Sequence, residues 1–238
     1  MKNVMHAQFR NKTKEKLAEI GNPILLEQFF VRDDYDKNGG CMVDLTHRCP
    51  LECPMCKRQM EWKDQGQPVP GRDLPMSTIE KVLDTWKLVS FGGQLSDPMH
   101  HPKFVEILEM CNKKGVRPTI HVASSAKPKS YFIKCFEAAP KARWKFGIDG
   151  MPEDSHLYRI NQDGVKLFDI MCEARNILTD HKPIWQYIIF KYNEKDIDKA
   201  IQKAKDNNID LILMKSSRWY GMAEKYMPSE EHRIETVL

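Results

Sequence analysis

Between Cys41 and Met214, short β-prone apolar runs alternate with stretches whose apolar residues recur at helical spacing. This alternation restricts the chain to an α/β design with a parallel sheet and outer helices. The runs Met42-Val43-Asp44-Leu45, Val89–Gly93, Pro118–Val122, Trp144–Asp149, Ile184–Lys191 and Leu211–Met214 read as strands. Helices are expected between them. Ser77 and Glu80 form a capping-box pattern ahead of Ile79, Val82, Leu83 and Trp86. Pro102 suits the first turn of a helix carrying Phe104, Ile107, Leu108 and Cys111. Further helices are expected at Tyr131–Ala139, over Leu167–Leu178 and after Asn193, read as a cap ahead of Ile197, Ala200, Ile201 and Ala204. Six βα-type units fit a partial, TIM-like (βα)6 barrel, not a closed eight-stranded one. Functional groups are then expected in loops at the C-terminal strand ends.

The loop after the first run carries Cys49, Cys53 and Cys56, spaced C-x3-C-x2-C. Three sulfurs at that spacing can surround one metal centre. They are one short of the four thiolates that usually hold a [4Fe–4S] cluster, which leaves one iron open. With His47 as a fourth ligand the same cysteines could hold zinc tetrahedrally. That alternative describes a non-catalytic zinc- or Fe–S-binding module on a degenerate barrel.

The cysteine spacing at the end of a first strand resembles that of the radical S-adenosylmethionine (radical SAM) enzymes. Later segments resemble that family in the same order. Phe91–Pro102 is similar to its glycine-rich element, aligning Gly93, Ser96, Asp97 and Pro98. Val122-Ala-Ser-Ser-Ala126 stands where its third strand ends, Phe146-Gly-Ile-Asp-Gly150 resembles Ser-x-Asp-Gly, and Arg159 falls where members place an arginine. Trp185–Glu194 is similar to a fifth-strand pattern of peptide- and small-molecule-modifying members. The resemblance implies one [4Fe–4S] cluster on Cys49, Cys53 and Cys56, with SAM chelating the open iron. It further implies SAM contacts from Met55, Gly93, Ser96, Asp97, Ser124, Ser125 and Arg159. Capping a helix is the other reading of the two serines, and a surface salt bridge that of Arg159. The implied chemistry is reductive cleavage of SAM to methionine and a 5′-deoxyadenosyl radical that takes hydrogen from a substrate left open among a peptide, a nucleotide or modified base, and a small metabolite. A flavodoxin- or ferredoxin-like one-electron donor is implied as partner.

Lys215, Arg218 and Trp219 follow the last strand and are candidates to face substrate, or with Tyr220 to form a packed lid. Lys127, Lys129, His100 and His101 are ordinary solvated or helix-entry residues in the simpler reading. Cys111, Cys135 and Cys172 fall on helices as small buried hydrophobes. No cysteine follows Cys172, so a C-terminal auxiliary-cluster domain is not expected. The chain divides into an N-terminal helical extension over 1–38, the barrel over 39–220 and a short tail over 221–238. Residues 7–20 place Phe9, Leu17 and Ile20 against Arg10, Lys12, Lys14 and Lys16, an amphipathic helix with a solvated basic face. An arm for nucleic acid or an acidic partner is its other reading. Charged residues make up 29% of the chain with a net charge of +4, a balance that neither demands nor excludes nucleic acid. No apolar run reaches the about eighteen residues of a membrane span, and the first residues lack a signal-peptide core. A cytoplasmic protein is the resulting expectation, with the open side of the barrel left for a large substrate, a partner protein or a second subunit of a homo-oligomer to cover.

Overall fold

The computed structural model describes residues 29–30, 40–92, 95–216 and 223–233. Six parallel strands form an open sheet: β2 (Gly40–Val43), β3 (Leu88–Phe91), β4 (Thr119–Val122), β5 (Arg143–Gly147), β6 (Ile184–Ile188) and β7 (Asp210–Met214). They pair strictly in chain order. A two-residue strand, β1 (Phe29–Phe30), adds an antiparallel edge on β2. That edge was not expected from sequence. The helix expected over 7–20 lies outside the described residues. Between the strands run α1 (Lys57–Glu61), α2 (Met76–Thr85), α3 (Phe104–Lys113), α4 (Lys129–Ala138), α5 (Gly164–Ala174) and α6 (Ile197–Asp206). The result is the open sheet of six parallel strands alternating with helices, the partial barrel expected from the alternation, with both α1 and α2 between β2 and β3 and no α-helix after β7 among the described residues. Among the described residues no helix is long and apolar enough to cross a membrane.

Side chains of a strand point alternately to its two faces, and that period sorts them here. On β5, Trp144 and Phe146 join the helix-side core, whereas Lys145 and Gly147 line a cavity on the other face. On β4, Ile120 and Val122 enter the same core and His121 faces the cavity; on β6, Trp185 and Tyr187 face the core and Gln186 and Ile188 the cavity. Trp144 anchors the helix layer, edge-on to Phe136 at 4.8 Å and to Phe104 at 6.4 Å between ring centroids. Such pairs add about 0.5–1.5 kcal/mol each beyond their buried area. Cys111 and Cys135 are fully buried in this core, while Cys172 is only partly covered.

Three local expectations are corrected. Helix α2 begins at Met76 with Pro75 as its cap, so Ser77 lies within the helix and makes no capping bond. Proline there already sets the extended backbone from which the helix starts. Helix α3 begins at Phe104, after Pro102, because His101 and Lys103 are still in a turn closed by Lys103 N donating to His101 Nδ1. Asn193 does not cap α6 with its side chain. Its amide is drawn back to the end of β6, accepting from Phe190 N at 2.7 Å and donating to Ile188 O at 3.0 Å.

Candidate active site at the strand ends

The C-terminal ends of the parallel strands surround a cavity of about 320 Å³. Cys49, Cys53 and Cys56 line one wall. Their loop is held from outside itself: Asp97 N donates to Arg48 O at 3.1 Å, Glu52 N to Ile160 O at 3.2 Å, and Asn161 Nδ2 to Pro50 O at 3.1 Å. Arg58 locks the loop from α1, donating to the carbonyls of His47 and, at 3.2 Å, Leu95. Leu51, Cys53 and Met55 form a small second core with Tyr158, Phe190 and Tyr226. Tyr158 stacks on Phe190 at 4.1 Å, and Tyr226 meets Tyr158 edge-on at 5.4 Å. Residues 223–233 therefore return to the site: Tyr226 Oη donates to Leu157 O at 3.0 Å, and Ser229 donates to Glu194 through both N and Oγ. A parallel bridge from Ser216 to Arg233 ties the same segment to the end of β7.

Burial pushes the Cys49 thiol well above its usual range and the Cys53 thiol up to about 11. Each would be a thiolate only beside a compensating cation. Among the described residues no three His, Cys, Asp or Glu side chains are drawn together tightly enough to hold a single metal ion. The three cysteine sulfurs all line the one cavity, with apolar cover around them, and sulfur is the donor type that an iron–sulfur cluster takes. His47 does not line the cavity.

Beyond the cysteines, the wall is built on a buried ion pair. Asp149 follows β5, is fully buried, and accepts from Arg159 Nε at 2.6 Å and from Ile188 N at 2.8 Å. Tyr192 Oη donates to the Asp149 carbonyl. Burial pushes the Asp149 carboxyl up, against the pull of Arg159. The arginine is positioned to face the cavity and reaches Cys53. Gly147 supplies the space: a Cβ there would lie 3.0 Å from Arg159 Nη2 and 3.4 Å from Ala123 Cβ. A glycine at this point of the Ser-x-Asp-Gly pattern is thus what seats the guanidinium.

Of the other expected residues, Met55, Ser96, Asp97 and Lys215 line the cavity. Ser96 Oγ donates to Asp44 Oδ1 at 2.7 Å. The Asp97 carboxylate is committed to backbone: Oδ2 accepts from Ala123 N and Ser124 N, both at 2.8 Å, and Oδ1 from Met99 N at 3.1 Å. Ser124 and Ser125 do not line the cavity. Ser124 Oγ meets His100 Nε2 at 2.9 Å, and Ser125 Oγ accepts from Asp163 N at 2.7 Å, ahead of α5. Gly93, Arg218 and Trp219 lie outside the described residues. Sequence reasoning missed Asp44, Gln162 and Tyr226. Gln162 Nε2 donates to Ala123 O at 2.6 Å and Gly147 O at 2.8 Å, stapling the ends of β4 and β5.

No family model matches the chain. A curated relative, the tungsten-containing aldehyde ferredoxin oxidoreductase cofactor-modifying protein of Pyrococcus furiosus, is 22% identical over 184 residues, 72% of this chain and 49% of that protein. Among solved structures, SuiB of Streptococcus suis bound to S-adenosylmethionine superposes with a TM-score of 0.60 at 13% identity, covering 78% of this chain and 41% of SuiB. Methylornithine synthase superposes with a TM-score of 0.54 at 14% identity, covering 84% of this chain and 62% of the enzyme. The chain thus spans about half the length of its curated relative and less than half of SuiB. These structural neighbours are radical SAM enzymes. The fold of this chain is the partial barrel of the radical SAM enzymes, with a three-cysteine loop after the first of its parallel strands.

Proposed function

We propose that the protein is a radical SAM enzyme. The observation that carries this reading is the placement of Cys49, Cys53 and Cys56 on one wall of the strand-end cavity that Arg159 also lines. In this reading the three cysteines hold a [4Fe–4S] cluster, which when bound supplies the electron for reductive cleavage of SAM to methionine and a 5′-deoxyadenosyl radical that takes hydrogen from substrate. The protein's own residues bind and shield. The guanidinium of Arg159, aimed by Asp149 and given room by Gly147, pairs with the SAM carboxylate. Met55, buried in the cavity wall, gives the adenine an apolar contact. Backbone at the end of β4, fixed by Asp97, and the Ser96 hydroxyl complete the SAM cradle. Tyr158, Phe190 and Tyr226 keep water from the cysteine side. An external one-electron donor of flavodoxin or ferredoxin type supplies the reducing equivalent.

Anaerobic reconstitution with iron and sulfide tests this. The expected result is a coloured protein that converts SAM to 5′-deoxyadenosine under dithionite, with both properties lost in Cys49→Ala, Cys53→Ala and Cys56→Ala. A protein that takes zinc, stays colourless with iron and sulfide and never cleaves SAM would refute the reading.

A further inference from the structure

In the radical SAM reading the cysteine side of the cavity gathers negative charge. Three thiolates outweigh the positive charge of an oxidised iron–sulfur core, and reduction adds one electron more. Cys53 is buried and Cys49 and Cys56 are only partly exposed, so water screens little of that charge. Most cations near the loop already have a counter-ion. Arg48 is exposed and lies 2.7 Å from Asp73, Lys57 lies 3.5 Å from Glu61, and Arg159 lies 2.6 Å from Asp149. Arg58 has no carboxylate partner among the described residues.

Arg58 is held in place from several directions. Helix α1 starts from Cys56, so Arg58 leaves its first turn directly beside the cysteine loop. Nη1 donates to the carbonyl of His47, ahead of Cys49, and at 3.2 Å to that of Leu95, past the end of β3. The guanidinium thus bridges the entry of the cysteine loop to Leu95, and Arg58 lines the cavity together with all three cysteines. These two carbonyls occupy a single nitrogen. Nε is buried and bonds nothing in the protein. Buried donors are nearly always paired, so an orphaned N–H of a charged group at a ligand cavity points to an acceptor that the ligand brings. The sulfurs of a cluster are such acceptors. N–H groups donated to them, and the net charge around them, help to set a cluster's reduction potential.

Resting on the radical SAM reading, we infer that Arg58 is a positioning residue that tunes the cluster: it locks the cysteine loop through two carbonyls and supplies an unpaired positive charge to the site. That charge favours the form of the cluster that holds one more electron, so it raises the reduction potential. One electron passes from the external one-electron donor to the cluster in that step, and no bond is made or broken. Arg159 is separate from this role, because Asp149 offsets its charge.

Redox titration of the anaerobically reconstituted full chain tests the inference, run without SAM and followed by the electron paramagnetic resonance of the reduced cluster. Arg58→Gln removes the charge. Its cluster should be harder to reduce by at least about tenfold in the one-electron equilibrium, a midpoint about 59 mV more negative. Arg58→Lys keeps the charge without the planar fork and should titrate close to wild type. A residue that only locked the loop would lower the iron and sulfide content of both variants and leave the clusters that form at the wild-type potential. The inference is overturned if Arg58→Gln titrates with wild type. It is equally overturned if Arg58→Lys falls as far as Arg58→Gln, because the loss would then follow the fork and not the charge. Should Arg58→Gln take up no cluster, Arg58→Lys decides: a wild-type potential upholds the inference and a tenfold loss overturns it. A wild type that takes up no cluster refutes the enzyme reading and this inference with it. A loaded wild type with an unmoved Arg58→Gln refutes this inference alone.

Discussion

Arg159 Nε lies 2.6 Å from Asp149 Oδ2, with the carboxylate fully buried and the arginine largely so. The pair does two jobs at once: it aims the guanidinium into the cavity, and it fixes the end of β6 through Ile188 N on the other carboxylate oxygen. Asp149→Asn should therefore be costly beyond the site itself. Removing one member of a buried pair strands the other, at about 3–5 kcal/mol. Urea denaturation should show that loss, and Arg159→Met combined with Asp149→Asn should recover part of it.

Gly147→Ser restores the residue type usual at this point of the pattern, yet it should impair the site. Its Cβ would stand 3.0 Å from Arg159 Nη2, the tip of a long side chain that can move away. Stability should change by only about 1 kcal/mol. The displaced guanidinium should weaken SAM binding by about tenfold, as one lost charge-assisted contact. Equilibrium dialysis of SAM against thermal unfolding separates the two effects.

Gln162→Ala removes a side chain that is nearly fully buried and whose amide serves the carbonyls of Ala123 and Gly147. Those two acceptors and the Ser155 hydroxyl would lose their partner in a dry place. A loss of about 1–3 kcal/mol in unfolding free energy is expected. Hydrogen exchange should show the ends of β4 and β5 opening more often, with the middle of the sheet unaffected.

Tyr226→Ala takes one ring from the aromatic wall behind Cys53 and Met55. A destabilisation of about 3 kcal/mol is expected for so large a truncation. Water and oxygen should then reach the cysteine side, so the reconstituted colour should bleach faster in air. Tyr226→Phe keeps the ring and loses only the bond to Leu157 O, about 1 kcal/mol, and should bleach at the wild-type rate.

The alternation of strand and helix was legible because it is local: Trp144 and Phe146 on one face and Lys145 on the other follow from period two. The cysteine loop was legible for the same reason, all three sulfurs lying within eight residues. What could not be read were partnerships across long separations. Ser96 finds Asp44, Gln162 finds Ala123, and Tyr226 finds Leu157, each pair brought together only by the order in which the strands pair. Ser124 and Ser125 show the converse. Their position at a strand end suggested ligand contacts, but their hydroxyls are taken up by His100 and Asp163 on neighbouring elements. Ser77 was misread because a capping pattern says nothing of a proline two residues earlier that already starts the helix.

The aromatic wall also sets a schedule for biosynthesis. When Cys56 is added to the chain, 170 residues through Tyr226 are still to be made, roughly 10–30 s at ordinary elongation rates. For that interval the three thiols precede the rings that will cover them. A cluster delivered to the nascent chain would meet open cysteines on an unfinished sheet, whereas delivery after release must work past Tyr158, Phe190 and Tyr226.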